Sequence, residues 1–240
     1  MKTLLLKLNF DKAVALKITL YFVLAFGISC CLNLLPDFLP LYGIKWFLNV
    51  GFGPFLSAIL VSYLYKTPLK LRLFSKTSWV RKIELVGLGI FFIGTIVNKI
   101  IVGNTNYSLI IFWTVFALFY TLLEELGWRV FLGNELSKYS FLTLVLISAV
   151  LWFIWHYSFR VRLMMENPFQ FVGMIAAGSA GMAEFYRKTK SWMLVALAHA
   201  LVNVNPLSLP TLIIFLAATI GLLRFHETKK RQTNIVMPQS

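Results

Sequence analysis

Two adjacent carboxylates and an arginine follow a long apolar stretch of the chain. Glu124, Glu125 and Arg129 come directly after residues 108–122, which are mostly apolar. Ionisable side chains are costly at membrane depth, so they usually face the interior of a helix bundle or a water-filled cavity, where they mark function. These three residues are therefore the first candidates for the chemistry of this protein.

Helix geometry predicts different roles for the two carboxylates. Glu125 and Arg129 are four residues apart and share a helical face, whereas Glu124 points about 100° away around the axis. Arg129 can neutralise Glu125 and leave Glu124 without a cation. We therefore predict a structural Glu125 and a reactive Glu124 that acts as a general base. The alternative is an ordinary cluster of charges at the end of a membrane helix.

Two histidines lie in other apolar segments, and each has a neighbour of interest on its own helical face. Trp152 precedes His156 by four residues, and Asn203 follows His199 by four. A single histidine in a membrane helix is usually a packing residue that is hydrogen-bonded to a neighbour. Two histidines together with a glutamate pair favour a common site inside the bundle.

The composition indicates a membrane protein. The chain has 240 residues, of which 59% are hydrophobic and 13% are charged, and its mean hydropathy is +0.77. One soluble core of this length has no use for so much apolar surface. The net charge of +14 is spread over short loops, which excludes a nucleic-acid-binding patch and favours a surface facing anionic lipid.

The apolar segments predict an all-α bundle of about eight transmembrane helices that forms one domain over residues 1–240. The predicted spans cover about residues 18–35, 44–65, 83–102, 108–136, 141–157, 169–185, 192–205 and 209–223. Residues 1–17 alternate lysines with apolar residues, which predicts a short helix on the membrane surface. Small residues in the sixth span predict close helix contacts there. Most of the 23 lysines and arginines then lie on one side, so we expect both termini in the cytoplasm.

Three motifs on successive apolar segments resemble one family. Glu124-Glu125-x-x-x-Arg129, an aromatic residue before His156, and His199-x-x-x-Asn203 are similar to the motifs of the CAAX proteases and bacteriocin-processing enzymes. This group, also called CPBP or Abi, contains the type II CAAX prenyl endopeptidases and other glutamate intramembrane proteases. The similarity covers about residues 108–205. The second motif of the family usually begins with phenylalanine, and here Trp152 takes that position, which puts the shape of the pocket in question.

The resemblance implies an integral membrane endopeptidase that acts within the lipid bilayer on a peptide or a prenylated protein. In that scheme Glu124 and His156 activate a water molecule for attack on a peptide carbonyl. His199 and Asn203 stabilise the oxyanion, and Glu125 with Arg129 holds the site together. No cofactor is implied.

Other functions remain open at the level of sequence. Glu124, His156 and His199 together are a ligand set that zinc hydrolases use, although the HExxH helix is absent and metal-independent chemistry is favoured. A proton relay in a small transporter uses the same residue types, but the two halves of the chain do not resemble each other. A non-catalytic immunity or regulatory protein is a third alternative. The substrate is open between a prenylated CAAX protein, a bacteriocin or pheromone leader, and the cytoplasmic tail of a membrane protein.

Overall fold

The fold is a bundle of helices. The structure, a computed structural model, describes residues 11–34, 44–101, 103, 106–159 and 162–204, and every regular element in these ranges is helical. The all-α prediction is confirmed. The predicted eighth span and most of the predicted surface helix, residues 1–10, lie outside the described residues.

Nine α-helices follow one another along the described part of the chain. They are α1 (Lys12–Leu34), α2 (Ile44–Leu64), α3 (Ser78–Ile101), α4 (Tyr107–Glu125), α5 (Leu132–Glu135), α6 (Phe141–Trp155), α7 (Arg162–Glu166), α8 (Pro168–Thr189) and α9 (Trp192–Val204). A π-helical segment, Leu126–Phe131, joins α4 to α5, and a 3-10 turn, His156–Ser158, continues α6. Helix α1 begins at Lys12, so residues 12–17 belong to this long helix and not to a separate surface helix.

Several helices have the length and composition of membrane spans. Among the described residues, three are long and apolar enough to cross a bilayer, namely Lys12–Leu34, Tyr107–Glu135 and Phe141–Ser158, and two shorter ones, Gly51–Leu64 and Trp192–Asn203, are also apolar. Helix α8, which coincides with the predicted sixth span, is not among them. Its last turns carry Glu184, Arg187 and Lys188, which lower its hydropathy.

Close approaches between helices depend on particular glycines. In α2, a Cβ atom at Gly53 would collide with the Ser29 hydroxyl and would lie 2.6 Å from the Ala25 carbonyl oxygen, so α1 and α2 meet there backbone to backbone. The small residues of α8 fulfil the predicted role only in part. Gly178 contacts the ring of Trp152, whereas Gly173 and Gly181 have open space around them.

Side-chain caps fix the starts of the helices that carry the motifs. The Asn106 side chain accepts a hydrogen bond from the Leu109 amide at 3.0 Å, and Ser140 accepts one from the Thr143 amide at 3.1 Å. Both are N-cap interactions that satisfy amides left free at a helix start. They set where α4 and α6 begin, and hence the positions of the residues at their far ends.

The loops that carry many of the basic residues meet at one end of the bundle. The Trp192 amide donates to the Arg72 carbonyl at 3.0 Å, which places the segment 65–77 beside the start of α9. At the same end, Lys138 lies 2.9 Å from the Asp11 carboxylate, which joins the turn 136–140 to the start of α1. We call this the basic end of the bundle.

Candidate active site

The end of α4 buries its charged residues completely. Glu124 and Glu125 are 1% and 0% exposed, and Arg129 is 2% exposed. The helix changes from α to π directly after Glu125, so Arg129 lies inside the π segment. Such one-turn π segments are rare and occur frequently at functional sites because the wider turn re-aims the side chains that follow.

The π segment is packed from behind by the first two helices. A Cβ atom at Gly127 would collide with the Tyr21 hydroxyl and would lie 2.8 Å from the Pro54 carbonyl oxygen. Position 127 therefore has no room for any side chain. Helices α1 and α2 thus support the charged residues although they lie outside the three motifs.

Glu125 is held by two partners, Arg129 and His199. Its Oε2 lies 3.3 Å from Arg129 Nε, so the predicted ion pair is present. Its Oε1 accepts a hydrogen bond from Nδ1 of His199 at 2.7 Å. The contact with Arg129 is not aligned as a hydrogen bond, and neither Oε2 nor Nε has another aligned partner. The Glu125 carboxylate therefore holds the side chains of His199 and Arg129 in place.

Arg129 reaches two further helices. Its Nη1 donates to the Ser148 hydroxyl on α6 at 3.2 Å, and its Nη2 lies 3.7 Å from the Met182 sulfur on α8. Its guanidinium also lies 4.8 Å from the centre of the Trp152 ring, within the range of a cation–π contact. A single buried cation therefore connects α4, α6 and α8.

Glu124 has neutral partners. Its Oε1 accepts a hydrogen bond from the indole nitrogen of Trp152 at 2.7 Å. Its Oε2 has no aligned donor from the protein, and no cation lies within ion-pair distance among the described residues. The Tyr120 hydroxyl lies near this carboxylate and accepts a hydrogen bond from Asn203 Nδ2 at 3.1 Å. One oxygen of Glu124 is thus fixed, and the other is buried without an aligned donor from the protein.

His156 is oriented by its own helix. Its Nδ1 lies 2.6 Å from the Trp152 carbonyl oxygen. A carbonyl oxygen only accepts, so Nδ1 carries the proton and Nε2 of the neutral ring is an acceptor. The imidazole is packed between the rings of Phe159 and Phe171, at centroid distances of 5.2 and 5.0 Å.

The Trp152 ring lies at the centre of the candidate site. Its centroid is 5.5 Å from the rings of both His156 and His199. Among the described residues, no direct hydrogen bond joins Glu124 to His156. The structure therefore brings Glu124, Glu125, Arg129, Trp152 and His199 into direct contact. Asn203 is connected through Tyr120, and His156 through Trp152.

Sequence reasoning missed three residues of this site. Tyr120 precedes Glu124 by four residues, and Ser148 precedes Trp152 by four. The same-face rule that grouped the histidines with their neighbours would have found both. Met182 gave no such signal, because nothing in the sequence places α8 beside Arg129.

Among the described residues, one cluster of side chains has the spacing of potential metal ligands. One potential ligand atom from each of Glu124, Glu125 and His199 lies within 4.8 Å of the others. This set differs from the predicted zinc ligands, because His156 is not part of it. Glu125 and His199 are already hydrogen-bonded to each other, and Arg129 adds a positive charge beside them. These residues therefore fit a divalent cation poorly.

Comparison with known proteins agrees with the motifs. Residues 106–205 match the model of the family described as Rce1-like, type II CAAX prenyl endopeptidase. No curated protein and no solved structure matches the chain. The matched segment contains all seven candidate residues, from Glu124 to Asn203. The family resemblance inferred from the motifs is thus confirmed, and residues 106–205 form an Rce1-like domain of the type II CAAX prenyl endopeptidase family.

Proposed function

We propose that this protein is an integral membrane endopeptidase that hydrolyses a peptide bond in a peptide or prenylated protein by a Glu124- and His156-activated water. The observation that carries the proposal is the difference between two adjacent buried carboxylates. Glu125 is bound to Arg129 and His199, whereas Glu124 keeps one oxygen without a protein partner. A fixed carboxylate with one free oxygen is suited to accept a proton from water.

The nucleophilic water lies, in this proposal, between Oε2 of Glu124 and Nε2 of His156. Both atoms are acceptors, and the partner atoms of both side chains are occupied by Trp152. The water gives one proton to Glu124 as its oxygen attacks the peptide carbonyl. The protonated carboxyl then gives that proton to the leaving amine, so Glu124 returns to its starting state.

His199 and Asn203 are the proposed donors to the oxyanion. The Glu125 carboxylate binds Nδ1 of His199 and balances the charge of a doubly protonated ring, which then presents Nε2–H. The two carboxylates, the guanidinium and this imidazolium sum to zero charge. Asn203 uses one of its two amide hydrogens for Tyr120 and keeps the other for the substrate. Donors in a water-restricted site stabilise a developing oxyanion strongly.

The proposed chemistry needs no metal. Zinc bound by Glu124, Glu125 and His199 would have to break the 2.7 Å bond between Glu125 and His199, and it would face the Arg129 guanidinium. Activity in the presence of a strong chelator separates the two mechanisms.

The basic end of the bundle faces the cytoplasm in this proposal. The start of α1 and the loop segments at residues 65–77, 136–140 and 189–191 meet there and carry a large share of the basic residues. Basic loops are retained on the cytoplasmic side during insertion. The N-terminus and, with an even number of spans, the C-terminus then lie in the cytoplasm.

The test compares the full chain and its Glu124→Gln variant in two settings. Purified protein in nanodiscs is given a labelled CAAX peptide with and without a prenyl group, with and without chelator. Peptides from cells that express either form are compared by mass spectrometry. Glu124→Gln keeps the size of the side chain and removes the proton acceptor, so cleavage should stop while folding is retained.

The outcomes separate the parts of the proposal. Equal turnover by wild type and Glu124→Gln would remove Glu124 from the mechanism. Loss of wild-type activity with chelator, restored by zinc, would replace the metal-independent scheme. Identical peptide profiles from the two cell lines, with no cleavage of either labelled peptide, would favour a non-catalytic regulatory role.

A further inference from the structure

A cavity of about 130 Å³ opens at the basic end of the bundle and extends to Arg129. It lies between the π segment with α5, the start of α6, and the end of α8. Its lining residues are Trp128, Arg129, Gly133, Leu136, Ser137, Tyr139, Phe141, Leu144, Ser148, Ala183, Tyr186, Arg187 and Lys190. We call it the basic crevice. Glu124, His156 and His199 do not line it, so it is separate from the proposed site of hydrolysis.

The lining of the basic crevice is suited to an anion. It contains three cations, Arg129, Arg187 and Lys190, and no carboxylate among its described residues. Four hydroxyls also line it, from Ser137, Ser148, Tyr139 and Tyr186, although that of Ser137 donates to the Asn134 carbonyl at 2.7 Å. Glu184 neutralises part of the charge of Arg187, at 2.7 Å, but it is not in the lining.

Lys190 is a cation without a carboxylate partner. Among the described residues, no acidic group lies within ion-pair distance of it, and its ammonium lies 5.2 Å from the centre of the Tyr186 ring. It ends α8 in the left-handed conformation, with φ of 52°, where glycine or asparagine is usual. Burial lowers the pKa of Lys190, and repulsion from Lys70, Arg187 and Arg72 lowers it further. Arg187 is paired with Glu184 whereas Lys190 is not, so the positive charge at the mouth is only partly compensated.

Arg129 forms the inner end of the basic crevice and has unused donors. It is 2% exposed, and its Nε lies 3.3 Å from Glu125 Oε2 without forming an aligned hydrogen bond. Its Nη groups have one hydroxyl partner at 3.2 Å and one sulfur at 3.7 Å. A guanidinium offers five N–H groups in a planar fork that matches the oxygens of a phosphate or carboxylate. A buried, incompletely paired guanidinium is thus an observation independent of the cluster at the mouth.

We propose that the basic crevice binds a phosphate group, supplied either by the headgroup of an anionic lipid or by a soluble phosphate. A phosphate presents several oxygens to cations that approach from different helices, whereas a carboxylate presents two in one plane. The apolar side chains of Leu136, Phe141 and Leu144 beside these cations suit the glycerol and first acyl carbons of a lipid. This inference does not depend on the proposed peptidase activity, because binding can be measured without a substrate.

A general attraction between basic residues and an anionic membrane is the competing explanation. It is worth about 1 kcal/mol for each basic residue near the surface, whichever residue that is. Lys188 and Lys190 separate the two explanations. They stand two residues apart at the end of α8, but only Lys190 lines the basic crevice. A general attraction predicts equal losses from the two positions, and a site predicts a larger loss from Lys190.

The experiment measures binding of phosphatidylglycerol to the full chain in phosphatidylcholine nanodiscs, by native mass spectrometry and by the shift in thermal unfolding temperature. Lys190→Asn removes the charge and tolerates the left-handed backbone, and Lys188→Asn is the matched control. We expect the dissociation constant to rise about tenfold or more for Lys190→Asn, and less than about threefold for Lys188→Asn. Ala183→Leu fills the cavity without changing charge and should also weaken binding.

A second arm titrates inorganic phosphate and glycerol phosphate against the protein in a zwitterionic detergent. Lys190-dependent binding of phosphatidylglycerol alone identifies a lipid ligand, and Lys190-dependent binding of the soluble phosphates identifies a soluble one. Equal losses for Lys190→Asn and Lys188→Asn would overturn the proposal. It would also be overturned if neither phosphate source binds while a peptide with a free C-terminal carboxylate binds in a Lys190-dependent manner.

Discussion

Glu124 and Glu125 are consecutive residues on one helix, yet their surroundings differ in kind. Glu125 is bound by two basic residues, with Arg129 Nε at 3.3 Å and His199 Nδ1 at 2.7 Å. Glu124 has neutral hydrogen-bond partners, with the Trp152 indole at 2.7 Å and the Tyr120 hydroxyl near by. A carboxylate with both oxygens committed to basic residues holds those residues in place. A carboxylate held by neutral groups keeps its charge available for a reaction.

The comparison shows how one helix supplies both kinds of site. Side chains one residue apart point about 100° away from each other, so Glu124 faces α6 while Glu125 faces α9. The π segment that begins after Glu125 then places Arg129 between α6 and α8. Removing the partners of Glu124 and of Glu125 one at a time tests this division of roles.

The largest effect is expected on the Glu125 side. Arg129→Ala leaves a buried carboxylate without its guanidinium and should cost about 3–5 kcal/mol of stability, together with activity. Adding Glu125→Gln should restore part of that loss, because no uncompensated charge remains. Thermal or denaturant unfolding of the purified variants measures both effects.

The matched control for that prediction is Arg187→Ala. It breaks an ion pair of 2.7 Å with Glu184, but the Arg187 side chain is 54% exposed. Exposed pairs contribute about 0–1 kcal/mol. If the Arg129→Ala, Glu125→Gln double variant is no more stable than Arg129→Ala alone, the charge pair is not what Arg129 stabilises.

On the Glu124 side, Asn203 tests the proposed oxyanion donors. Loss of one such donor in other hydrolases lowers the rate about 10²–10³-fold. We expect Asn203→Ala to lower kcat by this factor with KM nearly unchanged. Asn203→Asp should be slower still, because a carboxylate repels the developing oxyanion. If Asn203→Asp is as active as wild type, Asn203 does not contact the oxyanion, and its role is limited to the hydrogen bond with Tyr120.

A smaller effect is expected when Glu124 loses its indole donor. Trp152→Phe removes the 2.7 Å bond to Oε1. A hydrogen bond to a charged group is worth about 1.5–3 kcal/mol, so kcat should fall roughly 10- to 100-fold with little change in KM. Trp155→Phe is the control, since its indole donates to Ser29 at 3.0 Å and does not contact Glu124. Equal kcat values for the two variants would show that the indole does not position Glu124.

The smallest effect on stability is expected from Lys190, which lies at the mouth of the basic crevice, whereas Arg129 lies at its inner end. The pKa of Lys190 is lowered from its usual 10.5, so the charged ammonium is less favourable in the folded protein than in the unfolded chain. Stability of the wild type should therefore rise as the pH rises toward 10.5. Lys190→Asn should be slightly more stable at neutral pH and should lose this rise. Thermal unfolding from pH 7 to 10 in zwitterionic detergent tests it, and identical pH profiles for wild type and variant would contradict it.

Most of the helical architecture was predictable from the chain because apolar segments of fixed length leave few alternatives. Asn106, Ser140 and Asn167 cap helices close to the predicted starts. The pairing of Glu125 with Arg129 also followed from spacing along one helix. Contacts between helices were harder to predict from the sequence. The hydrogen bond from His199 to Glu125, for example, joins residues 74 positions apart.

Two features had no signal in the pattern of apolar residues. Hydropathy does not distinguish an α-helix from a π turn, so the predicted span to about residue 136 was continuous but gave no sign of the change at Leu126–Phe131. The hydrogen bond from Trp152 to Glu124 was also missed. The four-residue spacing placed Trp152 on the helical face of His156 but did not indicate that its indole N–H donates to another helix.

The contact between Trp152 and Gly178 constrains how this protein can evolve. A Cβ atom at position 178 would lie 3.2 Å from the Trp152 ring, which is tighter than an ordinary contact, and 3.3 Å from the Met182 methyl group. Phenylalanine, the usual residue of the family at position 152, is smaller than tryptophan and would leave room for that Cβ. The two positions should therefore vary together among relatives. A lineage with the indole could acquire alanine at 178 only if the ring and Met182 moved by a few tenths of an ångström, whereas one with phenylalanine at 152 would need only Met182 to move.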